Sequence, residues 1–263
     1  MAKTRPIARR RFGQHFLRHK QIIRRIIDNI DDSSCDLIVE IGPGRGALTD
    51  LLVERYKKIE LIEIDRDLVA ILSQRYADRP SITIRQCDVL DFDFSALAKE
   101  VGHRLLIVGN LPYNISSPLL IHLLLHVKSI REMTFMLQRE IAERLIAEPG
   151  NGSYGRLTVN VARSYSVEKL FEVSPDAFHP APKVWSSVVR FRPRQQPIGP
   201  SVDPEFFSRL VRDAFSHRRK TLRNSLKNYK ADEVLTKLGI DPKLRAENLS
   251  IEQFAQMASS LKP

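Results

Sequence analysis

Residues 37–49 read LIVEIGPGRGALT: an apolar run rich in β-branched residues, a turn with three glycines, then the start of a helical pattern. A short apolar run that feeds a glycine turn and a helix is the opening of a βαβ unit. Around it, similar runs alternate with longer stretches of helical spacing: KIELIEID (58–65), ITIRQCD (82–88), RLLIVGN (104–110), EMTFMLQ (132–138), VEKLFEV (167–173) and SSVVRFRP (186–193). This alternation predicts an α/β fold with a doubly wound, largely parallel sheet. The last two runs, separated by a Pro-rich loop, are expected as an added antiparallel pair.

Beyond residue 193 the character changes. RPRQQPIGPSVDP reads as a linker, and the apolar residues after it (Phe206, Leu210, Phe215, Leu222, Leu226) fall at helical spacing. The expected organisation is a basic segment over 1–25, a catalytic domain over 26–193, a linker over 194–203 and a small helical, RNA-binding domain over 204–263.

The net charge of +11 is unevenly placed. Residues 1–25 hold nine Lys or Arg and no acid, among them Arg9, Arg10 and Arg11. The run HRRKTLRNSLKNYK (217–230) holds six more, including Arg218, Arg219, Lys220 and Arg223, which leaves a net −4 for the rest. Positive charge gathered in two short segments suits a surface that meets phosphates, so nucleic acid is the expected partner. The longest apolar stretch, SPLLIHLLLHV (117–127), is shorter than the ~18 residues of a membrane span. The basic N-terminus lacks an apolar signal core, and Cys35 and Cys87 form no CxxC; neither a disulfide framework nor a metal site is expected, and the setting expected is the cytoplasm.

Gly42, Gly44 and Ala47 satisfy the G-x-G-x-x-G/A pattern of dinucleotide sites, and Glu63 lies 21 residues on, where a ribose-binding acid belongs. Two details point away from a dinucleotide. Pro43 removes an N–H that a pyrophosphate would use, and Glu40 repels a diphosphate while attracting a cation. S-adenosylmethionine fits these requirements, with a ribose, an adenine, an ammonium and a sulfonium but no phosphate. Glu63 would accept from the ribose hydroxyls, and Asp88, at the next strand end, from the adenine amine.

The fourth long run ends in NLPYNISSP (110–118). Methyl transfer to the exocyclic amine of adenine is hindered because the nitrogen lone pair is delocalised into the ring. The side-chain oxygen of Asn110 and the carbonyl of Leu111 can each accept from that amine and aim its lone pair, while Tyr113 offers a ring face to an extruded base.

Taken together, RRRFGQHFL, EIGPGRG, IEID, CDVLDFD, NLPYNISSP, FHPAPKVWSSVVRF and FSHRRKTLRNSL resemble the ribosomal RNA adenine dimethyltransferase family, whose enzymes methylate two adjacent adenines near the 3′ end of small-subunit RNA and confer kasugamycin sensitivity. The resemblance runs over essentially the whole chain. It implies a Rossmann-like class I S-adenosylmethionine-dependent methyltransferase with a helical tail, acting as a monomer on small-subunit RNA or an immature 30S particle, with a role in subunit biogenesis. His15 and Leu17 would line the methionine end of the cofactor, Gly42 and Gly44 would contact it, and Asn110 would touch both cofactor and target. Tyr113 and Phe178 would sandwich the base. His15 stands where the family often has Asn, which leaves its hydrogen-bond role open. Two other readings compete: a DNA adenine methyltransferase, for which the tail is short, and a non-catalytic assembly factor that keeps the fold as a scaffold.

Overall fold

The computed structural model describes residues 15–30, 37–216 and 219–261. The strands are β1 (Phe16–Leu17), β2 (Leu37–Ile41), β3 (Lys58–Glu63), β4 (Ile82–Gln86), β5 (Leu105–Asn110), β6 (Ile130–Gln138), β7 (Tyr165–Val173), β8 (Phe178–His179) and β9 (Ser186–Pro193). Helices α1 (Lys20–Asp28), α2 (Thr49–Arg55), α3 (Arg66–Arg75), α4 (Phe94–Val101) and α5 (Ser116–Leu123) fall between the first strands. Further on come α6 (Arg139–Leu145), α7 (Arg156–Ser164), α8 (Pro204–Ala214), α9 (Leu222–Ser225), α10 (Asp232–Lys237) and α11 (Ile251–Ser260).

Seven strands form one sheet in the order β4-β3-β2-β5-β6-β9-β7. The chain winds outward from β2 through β3 to β4, then returns and winds the other way from β5 to β6, with every pair among these five parallel. β9 runs antiparallel to β6, with Ser186 opposite Gln138. The order reverses between β2 and β5, and ligands of doubly wound sheets sit in the crevice at that switch. Residues buried on both faces explain why β2, apart from Glu40, and β5 read as apolar runs: Ile38, Val39, Ile41, Leu105, Leu106, Ile107 and Val108 are all buried. The seven long strands lie where the hydrophobic runs predict them.

Local chemistry starts the helices. Asp65 caps α3 by accepting from the Asp67 N–H at 3.0 Å, and Asp93 caps α4 by accepting from Ser95 and Ala96, both at 2.9 Å. α1 buries Ile23, Ile26 and Ile27 along one face.

β1 and β8 are a pair that periodicity does not reveal. Phe16 pairs with His179 and Leu17 with Phe178 in a two-residue antiparallel ladder. Two residues carry no period, so this element exists only through its tertiary partners.

The chain divides into two compact units. The first takes residues 1–142 and 168–193, and the second takes 143–167 and 194–263. The second therefore contains, besides the helical tail, a segment that the strand pattern had left with the catalytic domain. The reason lies in its core: Tyr154 and Val159 are buried in one cluster with Phe206, Leu210, Leu222, Leu235 and Phe254. The Tyr154 hydroxyl also donates to the Leu249 carbonyl at 2.8 Å. α11 opens with a capping box between Ser250 and Gln253.

Gly109 shows how tightly β2 and β5 approach. A Cβ on it would stand 2.7 Å from the Ile41 carbonyl oxygen and 3.0 Å from Leu111 Cδ2. Gly109→Ala is expected to cost about 1–3 kcal/mol through overpacking, read as a lowered urea midpoint; an unchanged midpoint would show that the two strands part freely.

Candidate active site

Above the switch point, the loops after β2, β3 and β5 enclose a cavity of about 300 Å³. Its lining includes His15, Leu17, Glu40, Gly42, Gly44, Glu63, Asn110, Leu111 and Tyr113. The glycine turn brings its own constraints. Gly42, Gly44 and Gly46 have φ of +64°, +57° and +79°, in the left-handed region that glycine enters without penalty. A Cβ on Gly44 would also lie 3.1 Å from the Phe16 ring.

The turn's glycine amides are committed. Gly42 N–H donates to the Ile62 carbonyl at 2.9 Å, Gly46 N–H to the Pro43 carbonyl at 2.8 Å, and Gly44 N–H to Glu63 Oε2 at 3.2 Å. Pro43 has no N–H to give. A phosphate-binding loop presents such amides outward to its anion; this one turns them inward and places carboxylates at the cavity wall.

Glu63 ends β3 and is only 6% exposed. Its Oε1 accepts from the Asp65 N–H at 3.0 Å and its Oε2 from Gly44, which uses two of roughly four acceptor positions. The remainder can accept from hydroxyls. Burial raises the Glu63 pKa, against the backbone N–H groups of Asp65, Gly44 and Ile64, which lower it. Glu40, 1% exposed, accepts from the Thr49 hydroxyl at 2.6 Å, and burial pushes its pKa up to about 8, with the charges of Asp50 and Glu63 adding to the rise.

At the end of β5 the Asn110 side chain is half-buried, and its Nδ2 donates to the His15 carbonyl at 2.9 Å. A carbonyl only accepts, so this contact fixes which way the amide lies and turns Oδ1 to the other side. His15 is held in turn: its Nδ1 lies 2.8 Å from the Pro180 carbonyl and must be the donor there. That settles the donor role of one ring nitrogen. The His15 ring also stands against Tyr113, with centroids 5.4 Å apart and planes tilted by 32°. The Tyr113 hydroxyl is paired with Ser186 Oγ at 2.8 Å, and burial raises its pKa, so the phenol stays neutral at ordinary pH. Among the described residues, no donor is seated on the Leu111 carbonyl, and Pro112 after it has none to offer.

Two expected site residues are not among those lining the cavity. Asp88 is absent from the cavity lining; its Oδ1 accepts from the Leu90 N–H at 2.9 Å and caps a short 3-10 turn. Phe178, 1% exposed, is packed in the core with Leu17, Ala177 and Val188 and presents no face to the cavity. Pairing with β1 turns it inward, and its neighbour His179 lines the cavity instead. Motif reading also passed over Phe16, Arg45 and Ile64. Ile64 is 45% exposed at the cavity, and its position directly after the ribose-type acid is the signal that could have found it.

Of the expected RNA-binding residues, Arg9, Arg10, Arg11 and Arg218 lie outside the described residues. Arg219, Lys220 and Arg223 are exposed. Arg223 is already paired, its Nε 2.8 Å from Asp232 Oδ2. Arg18, Lys20 and Arg24 add exposed cations around α1, and Arg25 lies 3.9 Å over the Phe171 ring.

Comparison with solved structures agrees with this geometry. A dimethyladenosine transferase from Plasmodium falciparum superposes with a TM-score of 0.79 at 27% identity, over 94% of this chain and 97% of that one. The 23S rRNA methyltransferase ErmE gives a TM-score of 0.67 at 26% identity, over 94% and 99%. Sheet, glycine turn and acid placement define a class I S-adenosylmethionine-dependent methyltransferase. A family profile described as ribosomal RNA adenine dimethylase matches residues 6–262, and the chain belongs to that family. Its curated relatives include the ribosomal RNA small subunit methyltransferase A of Erwinia tasmaniensis, 48% identical over 97% of this chain and 93% of that protein. The protein of that name from Pseudomonas aeruginosa is 45% identical over 97% and 94%.

The buried acids fix the sign of a pH effect. Glu40 holds its proton up to about pH 8 when folded but loses it near pH 4.5 when unfolded. The unfolded chain therefore binds fewer protons between these values, and stability falls as pH rises through that window. Glu40→Gln should flatten the decline in urea midpoints measured from pH 5 to pH 8; a slope identical to the parent's would mean that Glu40 is already charged.

Proposed function

We propose that the protein transfers methyl groups from S-adenosylmethionine to N6 of two adjacent adenines near the 3′ end of small-subunit ribosomal RNA, giving N6,N6-dimethyladenosine. The observation that carries this reading is the Asn110 amide, anchored through Nδ2 to the His15 carbonyl so that Oδ1 is left to accept.

The residues present fit the cofactor. The turn's glycine amides are committed within the protein, and Glu63 suits a cationic ligand with a ribose; Glu40, which burial keeps protonated, would ionise beside a bound cation. Glu63 would accept from the ribose hydroxyls, Ile64 would give the adenine an apolar face, and His15, Leu17, Gly42, Gly44 and Glu40 would surround the methionine end. Asp88, whose cap uses one of its roughly four acceptor positions, would accept from the adenine amine with another. Bound there, S-adenosylmethionine supplies the methyl group as an electrophile.

The chain's own part is to hold the amine. Asn110 Oδ1 and the Leu111 carbonyl accept its two N–H groups, which favours a pyramidal nitrogen with its lone pair aimed at the methyl donor. Tyr113, neutral and tethered to Ser186, serves as a stacking surface and not as a base. The methylated nitrogen is acidic and loses its proton to water. Phe178 contributes from beneath, by seating the β1–β8 pair that carries His15 and His179 to the cavity.

Sequence-independent affinity would come from the two basic runs. The helical unit, with Arg219, Lys220 and Arg223, would hold the RNA backbone, and Arg9, Arg10, Arg11 and Arg218 would add to it. We place the reaction in the cytoplasm, on small-subunit RNA or an immature 30S particle and by a monomer, with a role in subunit biogenesis.

Asn110→Ala should lower the methyl-transfer rate by ~10²-fold or more, as expected for loss of one preorganised polar contact. Single-turnover methylation at saturating S-adenosylmethionine and RNA measures it, and full recovery at saturation would reduce Asn110 to a cofactor contact.

Reversing the charge of Arg219 and Lys220 should weaken RNA binding and flatten its salt dependence by roughly one unit of slope per lost phosphate contact. Affinity for S-adenosylmethionine, measured calorimetrically, should not change. A salt slope equal to the parent's would remove these residues from the RNA surface.

A further inference from the structure

Trp185, the only tryptophan in the chain, is 44% exposed, and Val184 beside it is 43% exposed. Exposed side by side, the two form a small apolar patch of the kind a ligand can cover. Their position is well defined. The Trp185 carbonyl accepts from the Arg139 N–H at 2.9 Å, which extends the β6–β9 ladder by one step beyond Ser186 and Gln138. Ser186, the next residue, is fully buried and holds the Tyr113 hydroxyl. Trp185 therefore stands one residue outward from the anchor of the proposed base platform, on the same edge of the sheet as Asn110. Pro180 and Pro182 stiffen the segment before it, and Lys183, two residues before Trp185, is exposed, as is Arg139, its ladder partner.

We propose that Trp185 is a stacking platform for the nucleotide next to the target adenine. The inference rests on the adenine-methylation reading and adds a second base site to it. A single strand that turns one base onto Tyr113 breaks the stack with the neighbouring base, whose face is then bare. An exposed aromatic ring one residue from the Ser186 tether replaces that lost stacking for any base, and nearby exposed cations meet the phosphates. The site thereby favours a strand with two unstacked bases in succession over a lone extruded one.

The single tryptophan makes the test direct. Adding a short single-stranded oligoribonucleotide with a central adenine to the intact protein should quench Trp185 fluorescence. An abasic residue next to that adenine, tried on each side in turn, should abolish the quenching on one side. An abasic residue at the adenine itself should leave quenching in place. Trp185→Ala should weaken oligonucleotide binding about 5- to 150-fold, the range for losing one stacked base, while Trp185→Phe keeps most of the affinity. Thermal melts of both variants separate this loss from unfolding. Fluorescence that ignores the oligonucleotide, or equal binding by a folded Trp185→Ala protein, would overturn the proposal, including where a protein partner covers the patch instead. Methylation of small-subunit RNA by the parent is scored separately: its absence alongside intact quenching would defeat the adenine-methylation reading and leave the stacking platform standing.

Discussion

The Glu63 carboxylate is the contact on which the site depends. It stands at the end of a central strand, takes one hydrogen bond from the glycine turn and another from the start of α3, and is almost wholly removed from water. A carboxylate desolvated to that degree is tolerated only when donors surround it. The two backbone amides supply part of that compensation, and a hydroxylated ligand would supply more. The same group therefore holds the turn against β3 and keeps acceptor capacity in reserve for the cavity.

Opposite it, the end of β5 is arranged by the N-terminal strand. Asn110 takes its orientation from the His15 carbonyl, and His15 takes its own from Pro180. Three segments far apart in sequence thus determine the direction of one amide oxygen. The arrangement spans the switch between β2 and β5, where the partners Ile41 and Gly109 bring the two loops together. Glu40, Glu63, Asn110 and the Leu111 carbonyl thus line one cavity, brought there by three different strand ends.

The parts legible in the sequence are those with a local cause. The seven long strands announce themselves as apolar runs, the turn as glycines that must adopt positive φ, and Glu63 and Asn110 as polar residues at strand ends. What stayed hidden depends on distant partners. β1 and β8 are too short to carry a period, and their pairing turns Phe178 into the core where a platform was expected. Asp88 has the same spacing as a ligand acid, yet the turn after it offers an N–H to cap. Residues 143–167 join the helical unit because Tyr154 and Val159 find their apolar neighbours there, a choice that no property of the segment alone reveals.

The closure of His15 onto Pro180 also sets an order of events during synthesis. By the time residue 113 has left the ribosome, the glycine turn, both carboxylates, Asn110 and Tyr113 all exist in the nascent chain. The partners that position them do not: the His15 contact waits for Pro180, 165 residues later, and the Tyr113 tether waits for Ser186. Since chains fold as they emerge, the glycine turn and its acids can form early while the surroundings of Asn110 and Tyr113 mature late. A chain interrupted before β8 would carry Asn110, His15 and Tyr113 and still lack Pro180 and Ser186, the contacts that hold the last two.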